Sequence, residues 1–456
     1  MAQYNKTTKQ LLSDSKTLYE VIMLADKDGN VSDNNAGAYF EFAGLSADAF
    51  GRGRVSEPQT LGDYKHTYKD LNDFNDVLTS SATVTYSNND AAATLTTIAS
   101  SATSRAIHQT KRYHHYLPGK SQLILASFCF NANHLSSKKR IGYYDDKNGV
   151  FFERQVASDG TVTLKFVIRS FVTGAAVDTE ITQANWNVDK CNGTTSDFNI
   201  DTTKTQLFFA DFQWLGVGRV RCGFVHDGKY ILAHQFLHSN NSDKVYWSNP
   251  NLPVRSEILN TAANAPGANM AHICSTVMSE GGYLEAGTDF EVQNTTAVAT
   301  PLPGGTWMPI LAVRLKNTFN TYDNRILFKP ENVSLFADTK SIAYRIGKLP
   351  TAASLTGSPT WTSVATDSGC EYSVNATGVT IANFISFGGG FVAAGVSNGS
   401  DTASSPSILT ESKRNLITQN FDSTNSEVFV VLARTLATGA NDTANVWASL
   451  QWKEII

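Results

Sequence analysis

The chain has 456 residues, enough for two or three folded domains that each bury a core. Charged residues make up only 17% of the sequence and aromatic residues 11%, a balance that favours strands because aromatic side chains suit a half-buried pleated surface. A net charge of −4 excludes a broad attraction to nucleic-acid phosphates or anionic membranes. We therefore expect an all-β protein without a nucleic-acid partner.

Residues 1–110 are predicted to form an extended N-terminal arm that docks on another surface. An apolar run at 18–24 predicts a short strand, whereas 51–110 is rich in Ser, Thr and Ala and holds few large apolar residues. Such a segment is expected to order against a neighbour, since it cannot build a core of its own. The first residues lack the apolar core of a signal peptide, and no stretch reaches the roughly 18 apolar residues of a membrane span. We expect a soluble protein that is neither exported nor inserted into a membrane.

Residues 111–300 are predicted to form a central antiparallel sandwich of the jelly-roll or lectin-like kind. Apolar stretches at 141–144 and 150–152 flank Asn148-Gly149, a dipeptide typical of tight hairpin turns. A second turn at Asp159-Gly160 precedes strict alternation over 162–168. One face of these strands is therefore expected to be buried and the other wet.

Three strands of an antiparallel meander are predicted between Gln206 and His238, because tight turns recur there at about ten-residue spacing. Alternation places the following residues on one face of their respective strands: Phe208, Ala210, Phe212 and Trp214; Val220, Cys222 and Phe224; Tyr230, Leu232, His234 and Phe236.

Residues 306–456 are predicted to form a C-terminal β-sandwich after a Pro- and Gly-containing linker at 301–305. The continuous apolar run from Glu427 to Arg434 indicates a strand buried on both faces, and 310–315 indicates another strand. In the last strand, from Val446 to Trp452, alternate residues are apolar. The Gly- and Ser-rich stretch 388–405 is predicted to be a surface loop.

No metal or cofactor site is predicted. Asp26-Lys27-Asp28-Gly29-Asn30 matches the start of a calcium-binding loop, but Val31 and Gly37 stand where that loop needs a glycine and a carboxylate. His234 and His238 would lie about 13 Å apart along a strand, too far to share one ion. The five cysteines (Cys129, Cys191, Cys222, Cys274 and Cys370) are widely spaced. They are predicted to be small buried hydrophobic residues of a protein folded in a reducing cytoplasm.

No catalytic residues are predicted either. Asp145-Asp146 is an acidic pair, but adjacent residues before a turn point apart and cannot flank one glycosidic bond. The sequence contains no GxSxG motif, and Gly388-Gly389-Gly390 lacks the residues of a phosphate-binding loop. Exposed aromatic residues could instead stack on sugars; the candidates for glycan contact are Trp186 and Trp247, with Trp361 as a third.

An ordered series of short blocks resembles virion structural proteins of tailed bacteriophages, notably marine and cyanobacterial phages. The first block runs from Phe50 to Leu61 and is similar to an FGRxRVSxPxTL pattern. Further blocks follow in the same order: 109–113 with 118–121, 140–149 leading to 151–152, 186–190, 214–218 through 221 and 223–224, 250–253 with 255 and 257–258, and 452–454. The resemblance covers most of the chain from residue 50 onward, whereas the first 45 or so residues match nothing in it.

The resemblance implies a non-enzymatic fibre, decoration or tail-associated component made in the host cytoplasm and found in the virion. Its implied partners are other virion proteins and further copies of itself, and we expect a homotrimer. Arg52 and Arg54 are candidates for anchoring the arm on a neighbour, although both could be ordinary solvated arginines. The alternative function is a receptor-binding adhesin that recognises a host surface glycan, and a polysaccharide depolymerase is a third hypothesis.

Overall fold

The computed structural model of the protein describes residues 9–12, 18–21, 58–67, 73–263, 265–282, 286–294, 305–394, 417–436, 439 and 443–456. Within these ranges the regular structure is antiparallel β-sheet, with short 3-10 turns at Gln183–Asn185, Ala352–Ser354 and Ile381–Asn383. The prediction of an all-β chain is confirmed. None of the described segments is a helix long and apolar enough to cross a membrane.

Strands β1 to β17 comprise an N-terminal hairpin and a large sandwich. They are β1 (Lys9–Leu12), β2 (Leu18–Val21), β3 (Gln59–Lys65), β4 (Phe74–Thr79), β5 (Thr83–Ser87), β6 (Ala92–Thr97), β7 (Arg105–Thr110), β8 (Gln122–Cys129), β9 (Ser137–Tyr144), β10 (Gly149–Val156), β11 (Val162–Ser170), β12 (Val177–Thr182), β13 (Thr205–Phe212), β14 (Val220–His226), β15 (Lys229–Phe236), β16 (Val254–Asn260) and β17 (Ala268–Ser279).

Strands β18 to β30 form a second unit. They are β18 (Thr288–Gln293), β19 (Met308–Leu315), β20 (Thr318–Phe319), β21 (Tyr322–Asp323), β22 (Leu327–Ala337), β23 (Ile342–Leu349), β24 (Leu355–Thr356), β25 (Thr362–Ser363), β26 (Cys370–Ser373), β27 (Gly378–Val379), β28 (Ile385–Val392), β29 (Val428–Thr435) and β30 (Val446–Ile455).

The central sandwich packs a seven-stranded sheet on an eight-stranded one. The seven-stranded sheet has the order β12-β11-β10-β9-β16-β7-β4. The eight-stranded sheet has the order β15-β14-β13-β8-β17-β6-β5, and β3 completes it by pairing with the second half of β17, next to the half that pairs with β6. Because strand side chains alternate, the two facing surfaces form one core between the sheets.

Aromatic rings fill the middle of this core. Phe152 of β10 is fully buried, and its ring centre lies 5.9 Å from that of Phe128, 5.5 Å from that of Phe166 and 5.0 Å from that of Phe224. These four rings come from both sheets, so they join the layers directly. Offset and edge-on aromatic contacts add to the free energy gained by burying apolar area.

The predicted arm was wrong in extent, because residues 59–110 belong to the sandwich. Strands β3, β5 and β6 lie in the eight-stranded sheet, and β4 and β7 lie in the seven-stranded sheet. This segment contributes small side chains to the core, such as Ala82 and Ala106, which are buried among larger residues from other strands. Its lack of large apolar residues therefore reflects its place in a shared core. At the other end of the sandwich, β18 pairs with β30 of the second unit, although 288–293 fell within the predicted central domain.

The meander between Gln206 and His238 is confirmed as β13, β14 and β15, which are neighbours in the sheet. The predicted buried face of β15 is confirmed for Phe236, which lies in the core, but was wrong for Tyr230 and Leu232. The pairing register with β14 shifts at Ala233, so side chains before and after this extra residue exchange faces. Ile231 therefore packs on the core, whereas Tyr230 is exposed.

The hairpin between β9 and β10 differs from the predicted two-residue turn at Asn148-Gly149. Residues 145–148 form the connection, and the Asp145 side chain accepts hydrogen bonds from the backbone N–H groups of Lys147 and Asn148 at 2.8 and 2.7 Å. Gly149 is the first residue of β10 and has a φ of +134°. A Cβ atom there would lie 2.3 Å from the Cα atom of Tyr144, so only glycine fits.

The second unit packs a three-stranded sheet, β18-β30-β22, on a six-stranded sheet, β25-β26-β19-β29-β23-β28. The prediction for 427–434 is confirmed: β29 buries Phe429 in the core between these sheets and Val430 in a cluster on the opposite face. Alternate residues of β30 from Val446 to Trp452 enter the core as predicted. The predicted loop at 388–405 begins as part of β28, and its residues from 395 onward lie outside the described ranges.

Replacing Phe152 with alanine is expected to lower the free energy of unfolding of the sandwich by about 3–5 kcal/mol, because a cavity is left among four rings. Urea denaturation followed by fluorescence measures the loss. Val162→Ala is the control, since Val162 is 41% exposed on β11 and should change stability by less than about 0.5 kcal/mol. Equal stability losses in the two variants would contradict this packing.

Candidate functional site

The outward face of the seven-stranded sheet carries a buried network of charged side chains. Glu257 on β16 accepts hydrogen bonds from Arg105 Nε at 2.5 Å, Arg140 Nη1 at 3.3 Å and Tyr144 Oη at 3.0 Å. Arg140 Nε also donates to Glu153 on β10 at 2.6 Å. The strands that hold these residues are neighbours, so the network crosses β7, β16, β9 and β10 in register.

The carboxylate of Glu257 is held in its ionised form. Burial by itself raises the pKa of Glu257, but the guanidinium groups of Arg140, Arg105 and Arg255 outweigh it and hold the pKa well below its usual range. A glycosidase needs one carboxyl group with a raised pKa as its proton donor. Glu257 therefore has the electrostatics of a structural ion pair.

Asp145 and Asp146 point to different partners, as expected for neighbours at a turn. Asp145 caps the 145–148 connection, whereas Asp146 accepts from Arg255 Nη1 at 2.7 Å and from Arg105 Nη2 at 3.3 Å. Arg255 also lies over the ring of Phe421, 5.1 Å from its centre, so the second unit covers this end of the network. The acidic pair thus serves the turn and the charged network.

The prediction that Trp186 and Trp247 contact glycan was wrong. Trp186 is 3% exposed and Trp247 0% exposed, and both belong to the central core. Trp186 stacks on Phe166 with ring centres 4.4 Å apart, and Trp247 packs edge-on against Phe212. Trp361, the third candidate, packs under the guanidinium group of Arg314.

The other residues singled out in the sequence are two arginines, two histidines and five cysteines. Arg52 and Arg54 lie outside the described residues. Two histidines have separate partners: His234 Nδ1 accepts from the backbone N–H of Asn187, and His238 Nδ1 contacts the Gly218 carbonyl at 2.8 Å. All five cysteines are free; Cys191, Cys222 and Cys370 are buried as predicted, whereas Cys129 is half-buried and Cys274 is exposed.

An open cleft of about 550 Å³ lies beside the start of β13. Its polar lining includes Asp197, Asp201 and Gln206. The ring of Phe198 also lines it but is buried against His226. The cleft therefore offers hydrogen-bonding groups to a ligand, but the buried ring of Phe198 is not available to stack on a sugar.

Among the described strands, β28 is the last of the six-stranded sheet, and its sequence is unusual for an edge. Its sequence, from Ile385 to Val392, holds three glycines and no charged residue. Phe391 is 75% exposed, and Ile385 is also exposed. Edge strands of soluble proteins are commonly protected by charge, proline or a bulge. Strand β28 has a bulge at Phe387, where its pairing register with β23 shifts, but it has neither charge nor proline. Such an edge is a template for pairing with another strand.

Three buried histidines meet between the two sheets of the central sandwich. His66 follows β3, His108 lies on β7 and His272 lies on β17, and one ring nitrogen from each lies within 4.8 Å of the others. Burial lowers the pKa of His66 to about 4 and that of His272 well below its usual value, so both are neutral at neutral pH. The sequence analysis missed this cluster because its members are 42 and 164 residues apart and share no short motif.

No protein-family model matches the chain, and no curated protein matches it in sequence. Solved structures with some similarity include a GH16 glycoside hydrolase from Bacteroides ovatus, with 10% identity and a TM-score of 0.34, covering 48% of this chain and 99% of that one. The carbohydrate recognition domain of Emp47p has 8% identity and a TM-score of 0.30, covering 49% and 98%. An engineered GH43 glycoside hydrolase has 11% identity and a TM-score of 0.32, covering 49% of this chain and 42% of that one. Scores this low assign neither a family nor an activity.

Replacing Glu257 with glutamine should lower the free energy of unfolding at pH 7 by about 3–5 kcal/mol, since the arginines lose a buried partner. The folded-state pKa of Glu257 is depressed. Its contribution is therefore present above the ordinary glutamate pKa of 4.5 and is lost as the pH falls below that value. Urea denaturation at several pH values should show the gap between variant and wild type narrowing in acid.

Glu180→Gln is the control for this experiment. Glu180 pairs with Lys165 at 2.7 Å, but its side chain is more than a third exposed, and such pairs contribute only about 0–1 kcal/mol. A Glu257→Gln loss as small as this, or one independent of pH, would show that the buried network does not stabilise the sheet.

Proposed function

We propose that the chain is a non-enzymatic structural protein of a tailed-bacteriophage particle and acts by assembling into a symmetric homo-oligomer, a homotrimer. The ordered sequence blocks support the phage assignment. The exposed, uncharged edge strand β28 is the structural observation that supports assembly.

The positions of the blocks in the fold support a structural role. Gly149 is required by a tight backbone approach, and Trp186 fills the central core. Arg255 and Glu257 hold the charged network of the seven-stranded sheet. The residues of the blocks that resemble phage proteins therefore lie in the core and in structural networks. This is expected of a particle component that is selected for assembly and not for a reaction.

The edge of β28 supports pairing between copies of the chain. Exposed Phe391 and Ile385 lose water contact when another strand pairs there, and the three glycines permit a close approach of the backbones. A closed ring uses one such edge on every copy without leaving a growing end. Location in the virion, after synthesis in the host cytoplasm, follows from the same proposal.

The absence of catalysis is also part of the proposal. Glu257 and Asp146 are each held by arginine side chains, so neither has the raised pKa of a general acid. The glycan-binding alternative loses the two tryptophans on which it depended. A glycan array and a reducing-end assay on host polysaccharide test these two rivals directly.

Phe391→Lys is expected to weaken self-association, because a charge on the edge opposes strand pairing. Light scattering over a range of protein concentrations measures the change in mass. Tyr322→Lys is the matched control, since Tyr322 is 73% exposed and lies on β21, away from this edge. A wild-type chain that stays monomeric, or a Phe391→Lys oligomer as stable as that of Tyr322→Lys, would refute assembly through β28.

Deleting residues 1–57 should leave a folded protein that no longer joins the particle. The deletion ends before β3, because Leu61 and Tyr64 of that strand are buried in the sandwich. Circular dichroism checks the fold, and mass spectrometry of purified particles measures incorporation. Wild-type chain missing from particles would refute the virion role, whereas normal incorporation of the truncated chain would refute only docking by the arm.

A further inference from the structure

The histidine cluster joins the two layers of the central sandwich. His108 comes from the seven-stranded sheet, whereas His272 lies on β17 of the eight-stranded sheet and His66 directly follows β3 of that sheet. The Nε2 atoms of His66 and His108 are 3.4 Å apart, and all three ligand nitrogens lie within 4.8 Å of one another. Nitrogens bound to a tetrahedral metal ion at 2.0–2.1 Å are separated by about 3.3 Å. One pair already has this spacing, and the third nitrogen is within reach by a small side-chain adjustment.

A carboxylate on the side away from the cluster fixes the orientation of the His108 ring. Its Nδ1 atom lies 2.6 Å from the carboxylate of Asp76, which stands directly opposite His108 on the edge strand β4. A carboxylate that receives this N–H leaves the lone pair of Nε2 directed into the cluster. Metal-bound histidines typically have such a carboxylate or carbonyl partner on their second nitrogen.

The ring nitrogens of His272 also indicate a bound ligand. Its side chain is fully buried, and neither ring nitrogen makes a hydrogen bond of normal geometry to a described residue, although the backbone of Cys274 lies near the ring. Nδ1 of His66 also lacks a hydrogen bond to a described residue. Unpaired polar atoms in a core are rare and costly. His114, equally buried nearby, shows that the fold satisfies histidines elsewhere: its Nε2 atom is 2.9 Å from Tyr64 Oη and its Nδ1 atom is 3.1 Å from the Leu252 carbonyl.

We propose that His66, His108 and His272 bind one divalent transition-metal ion, Zn²⁺, which clamps the two sheets together. Neutral imidazole is a preferred ligand for zinc, and three such ligands leave one position of a tetrahedral shell for water. Asp76 is a positioning residue that acts through His108. Because the site is enclosed in the core, its role is structural, and it is independent of assembly through β28.

A purely aromatic role for the same side chains is the competing explanation. Phe74 stacks on His108 with ring centres 4.0 Å apart and parallel planes, and it lies edge-on to His272. Neutral imidazoles packed in this way would need no ion. The two explanations differ in whether the folded chain holds metal.

Metal content of the refolded full-length chain decides between them. The chain is unfolded in denaturant that contains a chelator and is then refolded with Zn²⁺. Excess metal is removed, and the bound zinc is measured by inductively coupled plasma mass spectrometry. One zinc per chain is expected for wild type, and a loss of most of it for His272→Phe, which fills the same space without a ligand. His238→Phe is the control, because His238 stacks on Tyr246 outside the cluster. It should keep one zinc per chain.

Asp76→Asn gives a graded test that leaves all three ligands in place. Removal of such an outer carboxylate weakens metal binding about 10- to 100-fold, measured by competition with a chelator. Zinc should also raise the melting temperature of wild type and leave that of His272→Phe unchanged. If His272→Phe fails to refold, wild type and Asp76→Asn suffice. Wild type without bound zinc after refolding, or the same affinity in Asp76→Asn, would overturn the proposal.

Discussion

The packing of two aromatic sheet faces against each other constrains the rest of the central sandwich. Phe152 and Phe166 from one sheet meet Phe128 and Phe224 from the other, and no ring can move without opening a void. Because neighbours along a strand point to opposite faces, each residue committed to this core sends the next one outward. Glu153 lies on the outward face for this reason, since it follows Phe152 on β10.

The outward face of the seven-stranded sheet is thereby filled with charge, and the second unit partly covers it. Taking ions out of water is costly, so each carboxylate there needs several donors to remain charged. Glu257 has three, and Asp146 has two arginines. These hydrogen bonds distinguish a structural network from an active site. A catalytic carboxyl group must be able to gain and lose a proton, whereas the partners of these carboxylates hold them in their charged form.

At the end of the sandwich near β3 and β4 the core changes character. Imidazole rings replace phenyl rings there, with Phe74 stacked among them. Histidine has the shape of an aromatic core residue but brings two nitrogens that need partners. Where partners exist, as for His114, the ring is an ordinary buried side chain. Where the described residues offer no partner of normal geometry, as for His272, the packing alone gives no reason for histidine over phenylalanine.

Local periodicity in the sequence was enough to predict the all-β class, the β13–β15 meander, the doubly buried strand β29 and the inward face of β30. It could not predict which surface covers each strand. The burial of Trp186 and Trp247, the inclusion of 59–110 in the sandwich and the face exchange at Ala233 depend on that choice. So does the meeting of His66, His108 and His272. A period of two shows only that one side of a strand avoids water. The partner on that side is set by strand pairings between distant residues, which in β3 and β17 are more than two hundred positions apart.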